Sequence, residues 1–359
     1  MKFAARRWKA VDTASTPPRK SSSDAFSIVE IMVAAVILMI LLGIIFSITQ
    51  MISQSWGKST AKIEAFQGAR AAFDTVSKQV SQATLNTYYD YYDSDGKTRG
   101  SYGTNTAVFS PVRYGRAADL HFISGKALVP NQVTHSLFFQ APVGYVNDTN
   151  YTGMDSLLNG CGFYIAYDKD NTIPGFVNTL PNKPAERYRY RLMQYLQPSQ
   201  NLKVYDPSAA SDKDWFQKPL QNSDAPVSIL TENVIALIIL PKMSKVDEES
   251  AATSGKPSVL ASNYEYDTKL VSGNGMTDSQ LPPIVEVIVV AIDETSAQRF
   301  CVGSSPPNFD VDPSSLFQKA EKLEEDLQTL TGALASKRIG YRVFRSEVAL
   351  RGAKWSSTP

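Results

Sequence analysis

The chain has 359 residues, 43% of them hydrophobic and 20% charged, with a formal net charge of +1. That length and apolar content allow one sizeable globular core, and the balanced charge lacks the basic density that binds nucleic acid. Two cysteines and two histidines exclude a disulfide framework, and their scatter lacks the spacing of a zinc site.

Residues 1–25 read as an address. Lys2, Arg6, Arg7, Lys9, Arg19 and Lys20 stand there against Asp12 and Asp24, with Pro17, Pro18 and the run Ser21 to Ser23. The segment has no apolar core of its own and is expected to be disordered. The remainder of the chain carries a small net negative charge. A basic leader before an apolar run is expected on the cytoplasmic side, with everything after the run on the far side.

The apolar run follows at once, from Ile31 to Phe46 and on to Ile48. With Phe26 to Val29 it is long enough to cross a hydrocarbon layer of about 30 Å as a helix, so a membrane span is predicted over about 26–48. One carboxylate, Glu30, stands at its entrance. A charge inside a bilayer costs about 2.5–3.5 kcal/mol on the lenient insertion scale, so Glu30 needs a partner or a function.

Ala25-Phe26-Ser27-Ile28-Val29-Glu30 resembles the processing motif of type IV pilins and type II secretion pseudopilins. The resemblance implies cleavage by a prepilin peptidase between Ala25 and Phe26, N-methylation of Phe26, and a role for Glu30 in assembly. The family prefers Gly before the cut. Ala25 is the smallest replacement, and slowed or normal processing is expected. A physical account of Glu30 fits the implied role. The freed amine of Phe26 and the Glu30 carboxylate are each unfavourable alone in a low-dielectric place. Pairing between neighbouring subunits offsets part of both desolvation costs and sets the register.

Beyond the span, Ile63, Phe66, Ala69, Phe73, Val76, Val80 and Ala83 recur at steps of three and four, one apolar stripe on an amphipathic helix. Lys58, Lys62, Glu64, Arg70, Asp74 and Lys78 take the other faces. One long helix is predicted over 26–85, apolar all round in its first half and one-sided in its second. The tyrosines Tyr88, Tyr89, Tyr91 and Tyr92 are expected to cap the junction of this helix with a head over 86–359, with a sticky binding surface as the alternative.

The head reads as strands. Ala118 to Ile123, His135 to Gln140 and Gly162 to Tyr167 have strand patterns, and Arg187 to Leu192 alternates charge with bulk as a strand with one wet face would. Val234 to Leu240, ending at Pro241, and Ile284 to Val290, after Pro282-Pro283, read as buried central strands. Polar loops are expected at 93–106, 204–226 and 244–280. Asp312-Pro313 reads as an N-cap with Pro at the first helical position. The steps Leu316, Ala320, Leu323, Leu327, Leu330 and Leu334 then predict a helix ending at Gly340, followed by a strand over Tyr341 to Arg345. The expected architecture is α+β and pilin-like: a long N-terminal helix on a mainly antiparallel sheet, with a C-terminal helix.

The head extends the resemblance. Leu230-Thr231-Glu232-Asn233-Val234 with Leu281-Pro282-Pro283-Ile284-Val285-Glu286-Val287 looks like the larger minor pseudopilins, the J-type subunits of type II secretion and the W-type minor pilins. Several phrases look more specifically like the prepilin-like Verru_Chthon cassette protein C family. They are Leu85-Asn86-Thr87-Tyr88, Leu120-His121-Phe122-Ile123-Ser124-Gly125, Leu158-Asn159-Gly160-Cys161-Gly162, Arg189-Tyr190-Arg191-Leu192-Met193 and Ala353-Lys354-Trp355-Ser356. The resemblance implies a minor pilin or pseudopilin in the inner membrane, single-pass, with its N-terminus cytoplasmic and its head periplasmic. The implied partners are prepilin peptidase, other pilin or pseudopilin subunits and the membrane. The alternative is a single-pass anchored binding or adhesion protein that does not polymerise.

Other chemistry has little behind it. Gly57-Lys58-Ser59 partly matches a phosphate loop, but Ile52 stands where the first Gly belongs. Asp93-Ser94-Asp95-Gly96 partly matches a calcium loop, but Tyr91 and Tyr102 occupy the two anchoring positions. His121, His135 and the adjacent Ser136 make no triad, since neighbours on a strand point to opposite faces. No enzyme, cofactor or metal is expected. For Cys161 and Cys301, a disulfide in an oxidising compartment and two free buried thiols are both open.

Overall fold

A computed structural model describes residues 27–151, 153–154, 156–170, 177, 186–206, 209–255, 259–270 and 276–356, with the backbone alone for 58–65. The molecule is α+β, with an N-terminal apolar helix and antiparallel sheets. It divides into two compact units, Met1–Gly57 and Lys58–Pro359.

The first helix, α1, runs Ile28–Ser81. In the first unit its side chains from Ile28 to Gly57 are all exposed. In the second unit Ala69, Ala72, Phe73, Val76, Val80 and Ala83 are buried in the main core, while Arg70 and Asp74 face solvent. The stripe predicted by periodicity is therefore the face that packs, as far as its side chains are described; that of Ile63 lies outside the described residues. The helix stops four residues short of the expected end. Ala83 N–H turns back to the Val80 carbonyl, and Thr84 N–H donates to the Gln140 carbonyl at 2.9 Å, which commits the backbone to a strand neighbour.

The tyrosine segment is a strand rather than a junction cap. β1 (Thr87–Tyr92) pairs with β2 (Arg113–Ala118) as a separate two-stranded ribbon. A six-stranded sheet follows in spatial order β7 (Val227–Glu232), β6 (Tyr188–Gln197), β5 (Leu158–Lys169), β4 (Ser136–Pro142), β3 (Ile123–Gly125) and β9 (Tyr266–Asp267). A three-stranded sheet has the order β11 (Tyr341–Ala349), β10 (Ile284–Ile292), β8 (Val234–Lys242). Every pairing is antiparallel. Asn233, at φ +65°, is the corner at which the chain leaves β7 in one sheet and enters β8 in the other.

The six-stranded sheet buries both faces. On one, Leu137, Phe139, Cys161, Phe163, Ile165, Tyr190 and Leu192 join the α1 stripe and the apolar residues of β8 and β10. On the other, Phe138, Tyr164 and Tyr195 meet Trp215 and Phe216 of α2 (Asp214–Gln221). Close packing there needs a glycine. A Cβ on Gly162, directly opposite Phe138, would lie 2.2 Å from the Phe138 ring, which itself stacks on Phe216 at 4.1 Å.

Several expectations are corrected. Ala118 to Ile123 is not one strand: it ends β2 at Ala118, breaks over 119–122 and starts β3 at Ile123. Asn86 Oδ1 accepts from the Asp119 and Leu120 N–H groups, and Gln140 Oε1 from that of His121, so side-chain amides take the donors a ladder would use. The stretch 204–226 contains α2, and 244–280 contains α3 (Lys245–Thr253) and β9. β8 continues through Pro241 to Lys242. Asp312 caps only a short 3-10 turn, Pro313–Ser315. The C-terminal helix α5 is Leu323–Ser336, because Phe317 is fully buried with φ +56° and breaks the helical path before it.

Candidate functional site

The residues that the sequence marks for assembly lie at the start of α1. Ser27 opens the helix: its carbonyl accepts from Glu30 N–H at 2.9 Å and Ile31 N–H at 3.2 Å. Glu30 thus sits in the first turn, where the unpaired N–H groups and helix dipole favour a carboxylate. Its side chain is exposed, as are those of the apolar residues that follow. Ile28–Gly57 is long and apolar enough to cross a membrane. At 1.5 Å per residue its 30 residues span about 45 Å, more than the roughly 30 Å of a hydrocarbon core. Ala25 and Phe26, the residues of the expected cleavage and methylation, and the leader over 1–25 lie outside the described residues. Gly57-Lys58-Ser59 lies within α1, not in a loop.

The head's polar chemistry is largely spent on structure. Asp93 accepts from the Tyr102 hydroxyl and from Lys97 N–H and Asp95 N–H at 2.8 and 2.9 Å, and these bonds, that of Tyr102 first, hold its carboxyl below the usual range. The turn therefore uses internally the oxygens a cation would need. No group of three or more His, Cys, Asp or Glu suited to a metal occurs among the described residues.

The two histidines are both buried. His121 Nε2 lies 2.7 Å from Asp267 Oδ1, and its Nδ1 lies 3.2 Å from Trp215 Nε1 and 3.1 Å from the Asp212 carbonyl. This ties β9 to the start of α2. His135 Nδ1 accepts from Ile239 N–H, which leaves Nε2 to donate to the Phe317 carbonyl. Burial and the charge of Lys126 push the His135 pKa down to about 3. The Ser136 hydroxyl turns instead to Gln132 at 3.0 Å. Cys161 and Cys301 are separate buried thiols, pushed up by burial to about 12 and about 11, so of the two open alternatives the structure holds the unbridged one.

Sequence reasoning missed an ion cluster. The expected wet face of Arg187 to Leu192 is not wet: Arg189 and Arg191 are buried. Arg189 Nη2 meets Glu294 Oε1 at 3.0 Å, and Arg191 meets Asp170 at 3.0 Å and Glu232 at 3.3 Å. Glu294, in α4 (Glu294–Phe300), also accepts from Asn233 Nδ2 at 2.6 Å. Burial raises its pKa, but the bonds from Asn233 and Arg189 more than offset this and hold it below the ordinary value. The cluster clamps the Asn233 corner. Only alternating charge marks it in sequence, and its acidic partners come from three distant segments.

An aromatic ribbon completes the polar surface. Tyr89 and Tyr91 of β1 lie 5.5 and 4.9 Å from Tyr114 of β2, ring centre to ring centre, and all three are exposed. Comparison of the chain with family models, curated proteins and solved structures finds no match.

Proposed function

We propose that the chain is a prepilin-like structural subunit, anchored in the inner membrane by the first half of α1, with its N-terminus cytoplasmic and its head periplasmic. A prepilin peptidase cuts between Ala25 and Phe26, the new terminus is methylated, and the helix carries the subunit into a type IV pilus-like or type II secretion pseudopilus filament. The broad head suits a minor or tip subunit, since a large head is harder to repeat along a shaft.

One observation carries this reading. A single helix combines an exposed apolar half, with one carboxylate in its first turn, and a one-sided half whose stripe packs on an antiparallel head. A plain anchor has no use for Glu30, whereas an assembly contact does: in a filament the charge is paired only when neighbouring subunits dock in register. Glu30→Ala and Glu30→Leu chains, produced with the rest of a filament system, are expected to be processed but excluded from filaments. Incorporation at the wild-type level overturns the assembly role.

A further inference from the structure

A cleft of about 580 Å³ opens on the head where β6 ends and β7 begins. Its volume is that of a small-ligand site. The groups on its wall are Tyr145 and four carboxamides, Asn147, Gln197, Asn201 and Asn222. Lys203 and Asp224 add one charge of each sign. Among the described residues the lining contains no histidine or cysteine, which suits binding rather than nucleophilic chemistry.

The wall is preorganised. The buried Asn159 donates from Nδ2 to the carbonyls of Tyr145 and Gln197, at 2.7 and 2.9 Å, and accepts from Tyr145 N–H at 3.0 Å. Ser199 N–H adds a bond to the same Tyr145 carbonyl at 3.1 Å. Gln197 Nε2 donates to the Asn201 carbonyl at 2.7 Å, while its buried Oε1 has no donor among the described residues. Tyr145 is 41% exposed on this fixed backbone. Fixing such groups before binding lowers the entropy lost on binding.

We propose that this cleft binds a neutral oligosaccharide segment. The exposed carboxamides Asn147, Asn201 and Asn222 each carry a donor pair and an acceptor, the combination that vicinal hydroxyls of a pyranose ring require, while the buried Gln197 holds the wall. The exposed Tyr145 and the half-buried Pro219 and Pro226 offer apolar surface to ring C–H groups. Lys203 and Asp224 carry opposite charges, so the described lining has no net formal charge. A peptide would want deeper apolar pockets for its side chains than this lining provides. The site belongs to the head and does not depend on whether the chain assembles.

The test is isothermal titration of the full-length chain in lipid nanodiscs, free of maltoside detergent, with maltohexaose, cellohexaose and chitohexaose in turn. At least one is expected to bind with a millimolar or tighter Kd. Tyr145→Ala and Asn222→Ala, both at exposed positions, are expected to weaken it at least tenfold with unchanged melting, while Tyr89→Ala on the distant ribbon leaves it unaltered. Binding of none of the three sugars, equal affinity in both cleft variants, or tighter binding of hexa-alanine overturns the proposal.

Discussion

His135 shows how one buried residue sets a pH dependence. Its pKa is depressed to about 3 in the folded chain, against about 6.5 when unfolded. Below pH 6.5 the unfolded chain therefore binds a proton that the folded chain refuses, so the unfolded state gains stability as pH falls, by about 1.4 kcal/mol per pH unit until the folded pKa is reached. Denaturant unfolding of the wild type should weaken from pH 6.5 downward. His135→Asn, whose carboxamide oxygen can still accept from Ile239 N–H, should give a flatter profile; an equally steep one contradicts the assignment. Glu294 adds a loss of the same sign at lower pH, because its depressed folded pKa lends stability only above the unfolded carboxylate range. Glu294→Ala leaves Arg189 buried without its carboxylate and should cost about 3 kcal/mol in chemical denaturation. Gly162→Ala drives a methyl into Phe138 and should cost about 1–3 kcal/mol, read as a lowered Tm. None of these three roles was legible in the sequence. The burial of His135 and Arg189 and the crowding at Gly162 are all set by residues far away in the chain.

At the scale of elements, the helices and strands divide by how local their causes are. The α1 stripe is a property of spacing alone, and it fell where the period of 3.6 put it, from Phe66 to Ala83. The buried strands β8 and β10 were legible because runs so rich in β-branched and apolar residues, interrupted in β10 only by Glu286, have few alternatives at that length. The start of α5 was not, because Phe317 takes a left-handed backbone in order to fill the core, and no local signal marks it. Likewise the break at Asp119 to His121 depends on amides from Asn86 and Gln140. The cleft on the head draws its carboxamides from the end of β6 and from separate connecting segments, of which only Asn222 falls in a stretch expected as a polar loop. Packing of the stripe has a direct check. Phe73 lies against Phe344 of β11 with ring centres 5.9 Å apart. Phe73→Ala should destabilise the head by about 3 kcal/mol. Arg70→Ala, on the solvent face, should change stability by less than about 0.5 kcal/mol. Equal effects would mean that the stripe does not carry the packing.

At the scale of the whole molecule, one chain holds two solvents' worth of chemistry. Residues Ile28–Gly57 expose apolar side chains that only lipid or other apolar helices would cover, while the unit Lys58–Pro359 has its own core. A chain beginning at Lys58 is accordingly expected to be soluble and to unfold cooperatively, and aggregation with no cooperative transition would contradict that. What the apolar half is for turns on the six residues from Ala25 to Glu30. A permanent anchor and an assembling subunit share every feature of the head and differ in the fate of the leader. Mass spectrometry of the N-terminus, on full-length protein purified from cells containing a prepilin peptidase, separates them most directly. The account predicts a mature chain beginning at N-methyl-Phe26, and a chain that keeps its intact Met1 leader would contradict it.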